Sequence, residues 1–213
     1  MASFDVTSLF TNIPLQETIE IICNNIDVEY ISSFGLDKSN LSKLLNLATC
    51  NNAFTFDGKL YNQVDGVAMG SPLGPVFADV FMGFNEKVWL SECPLDFKPM
   101  YYRRYVDDTF LIFSDSSHIQ MFLDYLNGKH SNIKFTCDLE NDFKLPFLDI
   151  LITRQNGNFI TSVYRKATFT GLGLNFLGFS PVLFKKNSIK TLINRAYNVC
   201  SNLNLFHLDV TFL

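Results

Sequence analysis

A chain of 213 residues with 47% apolar side chains can bury one domain-sized core, or one domain with a small appendage. Its longest apolar stretches are broken by charge, as at Asp79 and Glu86, and none approaches the roughly 20 residues of a membrane span, so no membrane partner is expected. The net charge of −4 is unevenly held: residues 154–213 carry seven basic residues against one acid, a net +6, whereas the 153 residues before them carry ten basic against twenty acidic, a net −10. An acidic body followed by a basic segment suits metal ions at one place and a phosphate backbone at another, with a merely solvated basic tail as the plainer account.

In chain order, residues 3–9 read as a strand, and Pro14 suits the first turn of a helix running to about Asn25. A second helix is expected near 39–50. Ala53-Phe54-Thr55-Phe56 and Lys59-Leu60-Tyr61-Asn62 flank Asp57-Gly58, a strong hairpin signal. From Gly74 to about Trp89, Phe77, Val80, Phe81, Phe84 and Val88 recur at helical spacing and predict a core-facing stripe. Residues 100–106 and 109–113 read as paired strands turning at Asp107-Asp108. Ser116 or Ser117 can cap the next helix, Ile119, Phe122, Leu123 and Leu126 give its apolar face, and Gly128 can end it. Strands near 133–139, 145–153 and 158–165 follow. The last element, about 187–201, sets Ile189, Leu192, Ile193, Ala196 and Cys200 on one face, with Lys190, Asn194 and Arg195 away from it.

The opening Met1-Ala2-Ser3-Phe4-Asp5 has neither the basic start nor the apolar run of a secretory signal. The five cysteines, at 23, 50, 93, 137 and 200, are odd in number and widely spaced, which gives neither a disulfide framework nor a Cys-x-x-Cys zinc pair. They are expected to be small buried hydrophobes in a reducing, intracellular setting, nuclear or cytoplasmic. His118, His130 and His207 are isolated and receive no role.

The least ordinary segment is Asp107-Asp108. Two adjacent acids between apolar strands repel each other and lack the Gly or Asn that a tight turn prefers. A divalent cation removes that objection with its own charge. Asp5, in a strand about 100 residues earlier, is the partner acid, its competing reading being a helix or turn cap. Segment 66–75 supplies small residues before a helix: Gly70 and Ser71 allow the close backbone approach that a template base or incoming nucleotide needs, and Pro72 and Pro75 fix the chain direction. A tight loop leading into a buried helix accounts for the same residues.

Three stretches taken together, residues 4–14 from Phe4-Asp5-Val6 to Ile13-Pro14, residues 63–75 with Gly66-Val67-Ala68-Met69-Gly70-Ser71-Pro72, and Tyr102-Arg103-Arg104-Tyr105-Val106-Asp107-Asp108, closely resemble the reverse transcriptases of Penelope-like retroelements. Leu145-Pro146-Phe147-Leu148-Asp149-Ile150, then Val163-Tyr164-Arg165-Lys166-Ala167-Thr168 and a Lys-rich helix, look like that family's passage from palm to thumb. Met69, where many reverse transcriptases have Gln, is usual in the Penelope-like group and disfavours a LINE-type assignment.

The resemblance implies an α+β fold: a ferredoxin-like polymerase palm, with an antiparallel sheet and helices on one face, over 1–153, and a palm-to-thumb strand with a short basic helical thumb region over 154–213. It implies RNA-directed DNA synthesis from deoxynucleoside triphosphates on an RNA template and DNA primer. Asp5, Asp107 and Asp108 would be the catalytic carboxylates on two Mg²⁺ ions, with the Val6 carbonyl completing the metal shell. Phe10 would be the aromatic gate under the sugar, unless it is simply core, and Met69, Gly70 and Ser71 would meet the nucleotide. Arg165, Lys166, Lys185, Lys186, Lys190 and Arg195 would hold the template-primer backbone. The family's basic fingers precede its first Asp segment, and this chain starts four residues before Asp5. The expectation is therefore a fragment, weakly active or inactive by itself. The alternatives are a non-catalytic nucleic-acid-binding remnant and a C-terminal module of helix-turn-helix type.

Overall fold

Alternating burial defines the first strand. In β1 (Ala2–Val6), Ala2, Phe4 and Val6 are buried and Asp5 is exposed, so one face of the strand is core and the other carries the acid. The computed structural model describes residues 1–50, 52–171 and 173–212. They divide into two compact units: Phe4–Cys137, and Asp138–Leu213 together with Met1–Ser3. Among the described residues, the strands between 144 and 163 pair with one another in a single sheet within the second unit.

In the larger unit, β1 is followed by a run of helices: α1 (Leu9–Asn12), α2 (Leu15–Asn25), α3 (Val28–Ser32) and α4 (Lys38–Thr49). The hairpin of β2 (Ala53–Phe56) and β3 (Lys59–Asn62) turns on Asp57 and Gly58, both at positive φ as a two-residue turn requires. The long helix α5 (Gly74–Glu92) leads to β4 (Tyr101–Tyr105) and β5 (Asp108–Ile112). Then come α6 (Ser117–Asn127) and β6 (Phe135–Leu139). The four-stranded sheet has the order β4-β5-β1-β6. With a helix between β1 and β4 and another between β5 and β6, this is the βαββαβ plan of a ferredoxin-like palm. Thr109 and Leu111 of β5 are buried on the face that Phe4 and Val6 share, where Phe122 of α6 meets Phe4 with ring centroids 6.1 Å apart. The helices therefore cover one face and leave Asp5 on the other.

Several expectations shift by a few residues. On α5 the buried side is Phe77, Ala78, Phe81, Met82, Glu86 and Trp89, whereas Phe84 and Val88 are exposed and Val80 is half-buried. The stripe is rotated towards the smaller Ala78 and a buried acid. Neither Ser116 nor Ser117 caps α6: the Asp115 carboxylate accepts from the Ser117 N–H at 2.7 Å. Cys23 and Cys93 are buried as expected, but Cys50 is exposed.

The smaller unit holds β7 (Lys144–Phe147), β8 (Ile150–Gln155) and β9 (Asn158–Val163) as an antiparallel meander. The single strand expected over 145–153 is a hairpin, because Leu148 enters the left-handed region at φ 54° and turns the chain. Two helices close the unit, α7 (Val182–Val199) and α8 (Leu203–Phe212), both packed on β9. Thr161 ties β9 to the end of α7: its hydroxyl lies 2.6 Å from the Val199 carbonyl and its N–H 2.7 Å from Ser201 Oγ. No described helix is long and apolar enough to cross a membrane.

Candidate active site

β1 ends beside the turn that joins β4 to β5. The Val6 N–H donates to the Asp107 carbonyl at 3.0 Å, so the strand carrying Asp5 runs next to the turn carrying Asp107. Neighbouring strands lie about 4.8 Å apart, which puts the backbones of Asp5, Asp107 and Asp108 at one end of the sheet. Asp5 projects from the face away from the helices. Asp108 alternates with the buried Thr109 and shares that face; Asp107 is half-buried in the turn.

The turn itself differs from expectation. Tyr105 and Asp108 are paired in the hairpin register, so Asp108 is already strand and the turn residues are Val106 and Asp107. Val106 takes φ 56°, a region that a β-branched side chain rarely enters. The sequence offered no Gly or Asn to mark the position.

Carboxylate oxygens on adjacent strands are the donor type that a hard divalent cation takes. Among the described residues, however, no group of three or more His, Cys, Asp or Glu side chains converges as a metal site. The backbone brings the three acids to one end of the sheet without a converged donor set among the described residues. Like charges so close together resist convergence unless a cation offsets them.

Segment 66–75 is strapped to the residues that follow Asp5. The Asp65 carboxylate accepts from the Leu15 N–H at 3.0 Å and the Gly66 N–H at 2.8 Å, serving the start of α2, where Pro14 has no side-chain cap to give. The Val67 N–H then donates to the Phe10 carbonyl at 2.7 Å. Gly66 has φ +78°, and a Cβ there would stand 2.4 Å from the Thr11 carbonyl oxygen. The close backbone approach thus belongs to Gly66. Gly70, at φ +89°, faces open space. Phe10 is half-buried, its ring lying against Gly74 at the start of α5, and Met69 is exposed beside Gly70. Ser71 Oγ accepts from the Leu73 N–H at 3.3 Å, shaping the entry into α5.

A network absent from the sequence expectations lies beneath the carboxylates. Arg104, whose side chain is 8% exposed, reaches Glu86 through Nε at 2.7 Å, Asp79 through Nη2 at 3.3 Å and the Val106 carbonyl through Nη1 at 2.9 Å. Tyr102 donates its hydroxyl to the same Glu86 carboxylate at 2.6 Å. Burial, and then the Glu86 charge, push the Tyr102 hydroxyl well above its ordinary value. Burial works against the Arg104 charge, but Glu86 outweighs it and leaves the guanidinium more firmly protonated. Glu86 falls at a core position of α5 once the helix is seen to be rotated, and a buried acid there calls for a buried donor on the facing strand, a donor that the sequence alone does not name.

The predicted basic contacts divide. Lys166, Lys186 and Lys190 are exposed. Lys185 is not: it is buried, and its ammonium donates to the Phe176 and Gly178 carbonyls at 2.5 and 2.7 Å, so here it fastens a loop instead of facing solvent. Arg165 pairs with Asp209, and Arg195 lies 3.3 Å from Asp149. The apolar face expected on α7 is also turned. Ala196 is buried, Leu192 and Cys200 are half-buried, and Ile189 and Ile193 are exposed, where they line a groove of about 280 Å³ with Lys186, Lys190 and Asn194.

No protein-family model and no curated protein matches the chain. Among solved structures it is similar to telomerase from Candida albicans in complex with a TWJ fragment of telomeric RNA, with a TM-score of 0.56 and 16% identity over 91% of this chain and 33% of that one. It is also similar to telomerase from Candida tropicalis in complex with the same kind of fragment, with a TM-score of 0.52 and 15% identity over 99% of this chain and 36% of that one. The chain spans about a third of the length of these structures. At such identities the likeness is one of architecture, and it agrees with the strand order: the chain has a reverse-transcriptase-like polymerase fold.

Proposed function

We propose that the chain is the palm and thumb start of an RNA-directed DNA polymerase from a Penelope-like retroelement. One observation carries the reading: the 3.0 Å bond from the Val6 N–H to the Asp107 carbonyl, which fastens the strand of Asp5 to the acidic turn. In this reading Asp5 and Asp107 hold two Mg²⁺ ions, Asp108 supports them and the Val6 carbonyl completes the shell. Bound there, the ions supply charge stabilisation for the attacking 3′ oxygen of a DNA primer and for the departing pyrophosphate. The Phe10 ring, fixed between the Val67 strap and Gly74, fills the volume that a 2′ hydroxyl would need. Met69, Gly70 and Ser71 lie along the triphosphate-bearing nucleotide, with Gly70 open to close approach. Lys166, Lys186 and Lys190 contact the phosphates of an RNA template and DNA primer. The RNA fragment bound in both telomerase structures supports RNA binding by this fold.

A second reading has its own observation. Because no three-carboxylate group converges among the described residues, the fold could serve as a nucleic-acid-binding remnant without catalysis. Extension of a DNA primer on an RNA template by the purified chain, with Asp107→Asn as control, separates the two. Mg²⁺-dependent synthesis that Asp107→Asn abolishes supports the polymerase. Synthesis indifferent to Asp107→Asn overturns the assignment of the carboxylates, and duplex binding with no synthesis even when basic fingers are supplied upstream favours the remnant.

A further inference from the structure

We infer that Arg104 is a positioning residue for the candidate site: with its charge neutralised by Glu86, it clamps the turn of Val106 and Asp107 and so fixes where the carboxylates stand. The consequence for metal binding rests on the polymerase reading; the clamp itself does not.

Arg104 occupies the inward face of β4 two residues before Val106, and its three guanidinium nitrogens serve three acceptors. Nε and Nη2 hold Glu86 and Asp79 on α5, and Nη1 holds the Val106 carbonyl. The planar fork therefore joins the turn to the helix behind the sheet. A lysine ammonium, a single point charge, cannot span that set.

Fold stability alone is a poor reason for such a group. A buried ion pair is commonly replaceable by apolar residues of similar volume at no loss, because desolvation offsets the attraction. Glu86 and Arg104 both lie largely out of water, their side chains 11% and 8% exposed. What an apolar pair could not do is hold a carbonyl.

That carbonyl belongs to Val106, at φ 56°. A β-branched residue stays in that region only where its surroundings hold it. Arg104 bonds the carbonyl of Val106, and the Val6 N–H bonds the carbonyl of Asp107 one peptide later. Release of the first lets the valine relax, and relaxation moves the following two residues, Asp107 and Asp108. The clamp thus acts on the carboxylates through the backbone.

The test is hydrogen exchange of the Val6 amide, followed by NMR on the purified chain. Arg104→Lys keeps a charge for Glu86 and loses the fork; the double variant Arg104→Met with Glu86→Gln removes the buried charge altogether and keeps an acceptor for Tyr102. In both, the Val6 amide is expected to exchange at least about tenfold faster than in the wild type, while the amides of Leu111 and Phe122 stay within about twofold. Val6 exchange unchanged in either folded variant overturns the clamp. The same proteins are then titrated with Mn²⁺. Wild-type binding that Asp107→Asn removes, and that Arg104→Lys weakens by about tenfold, supports the positioning role. Equal Mn²⁺ affinity in a variant whose Val6 amide is loosened overturns it. If the wild type binds no Mn²⁺ through Asp107, the metal reading of the site fails instead, and the exchange rates alone decide the clamp.

Discussion

The two units keep their apolar side chains in opposite places. In Phe4–Cys137, Phe4, Phe77, Phe81 and Phe122 are shut away from water, with helices laid on one sheet face. In Asp138–Leu213, only Leu145 and Ala196 among the described apolar residues are buried, while Phe176 and Leu177 are 75% and 90% exposed. The first unit is ordered by its core; the second relies on strand ladders and on polar ties such as Thr161 to Ser201 and Lys185 to its loop. The acidic unit therefore sets its three candidate acids on a packed core. The basic unit has a surface whose apolar and cationic groups face outward.

Core truncation breaks that comparison most severely. Phe122→Ala should destabilise the chain by about 3–5 kcal/mol in urea unfolding, because the ring packs against Phe4, Tyr102 and Phe113. Phe179→Ala should change stability by less than about 0.5 kcal/mol. Equal losses at the two sites would mean that the second unit has a core after all.

Gly66→Ala sharpens the picture within the first unit. It should cost on the order of 2 kcal/mol or more, since a Cβ would press on the Thr11 carbonyl and the residue sits at positive φ. Gly70→Ala, with the same kind of φ and open space, should cost about 1 kcal/mol. Thermal unfolding that ranks Gly70 above Gly66 would contradict the strap.

In the second unit the exposed and buried lysines should part ways. Removing Lys186 or Lys190 should each flatten the slope of log affinity against log salt for an RNA-DNA duplex by roughly one. Lys185→Ala should leave the slope alone and lower stability, because its ammonium is already spent on two carbonyls.

The smallest effect concerns Tyr102. Its folded value is raised above the ordinary 10.0, so the stability it contributes is complete below about pH 10 and is lost as pH rises through the higher folded value. Phenolate absorbance should show the same number of tyrosines ionising near pH 10 in wild type and in Tyr102→Phe. One tyrosine fewer in the variant would show that the Glu86 network is open to solvent.

Periodicity and turn chemistry made much of this legible. Asp57-Gly58 fixed its hairpin to the residue, and the spacing of Ile119, Phe122 and Leu126 marked a face that is buried. The turns that were misjudged use residues at positive φ without glycine, Val106 and Leu148, where tertiary bonds override local preference. Asp107 and Asp108 were visible as candidates because adjacent charges between apolar strands are hard to explain otherwise, and Asp5 as the partner acid in an earlier strand. Arg104 and Asp65 were missed for the opposite reason: each acts across more than fifteen residues of sequence, on Glu86 and Leu15, and no local pattern records such a pairing. Lys185 shows the limit of counting charge, since a basic residue on a basic helix turned inward.

The central claim is that Asp5, Asp107 and Asp108 share one metal site. Substoichiometric Mn²⁺ added to the isotopically labelled chain tests it most directly, through paramagnetic broadening of assigned amides. The account predicts that Val6, Asp107 and Asp108 broaden first, that excess Mg²⁺ restores them and that Asp107→Asn abolishes the effect. Broadening centred elsewhere, or unchanged in Asp107→Asn, would contradict it.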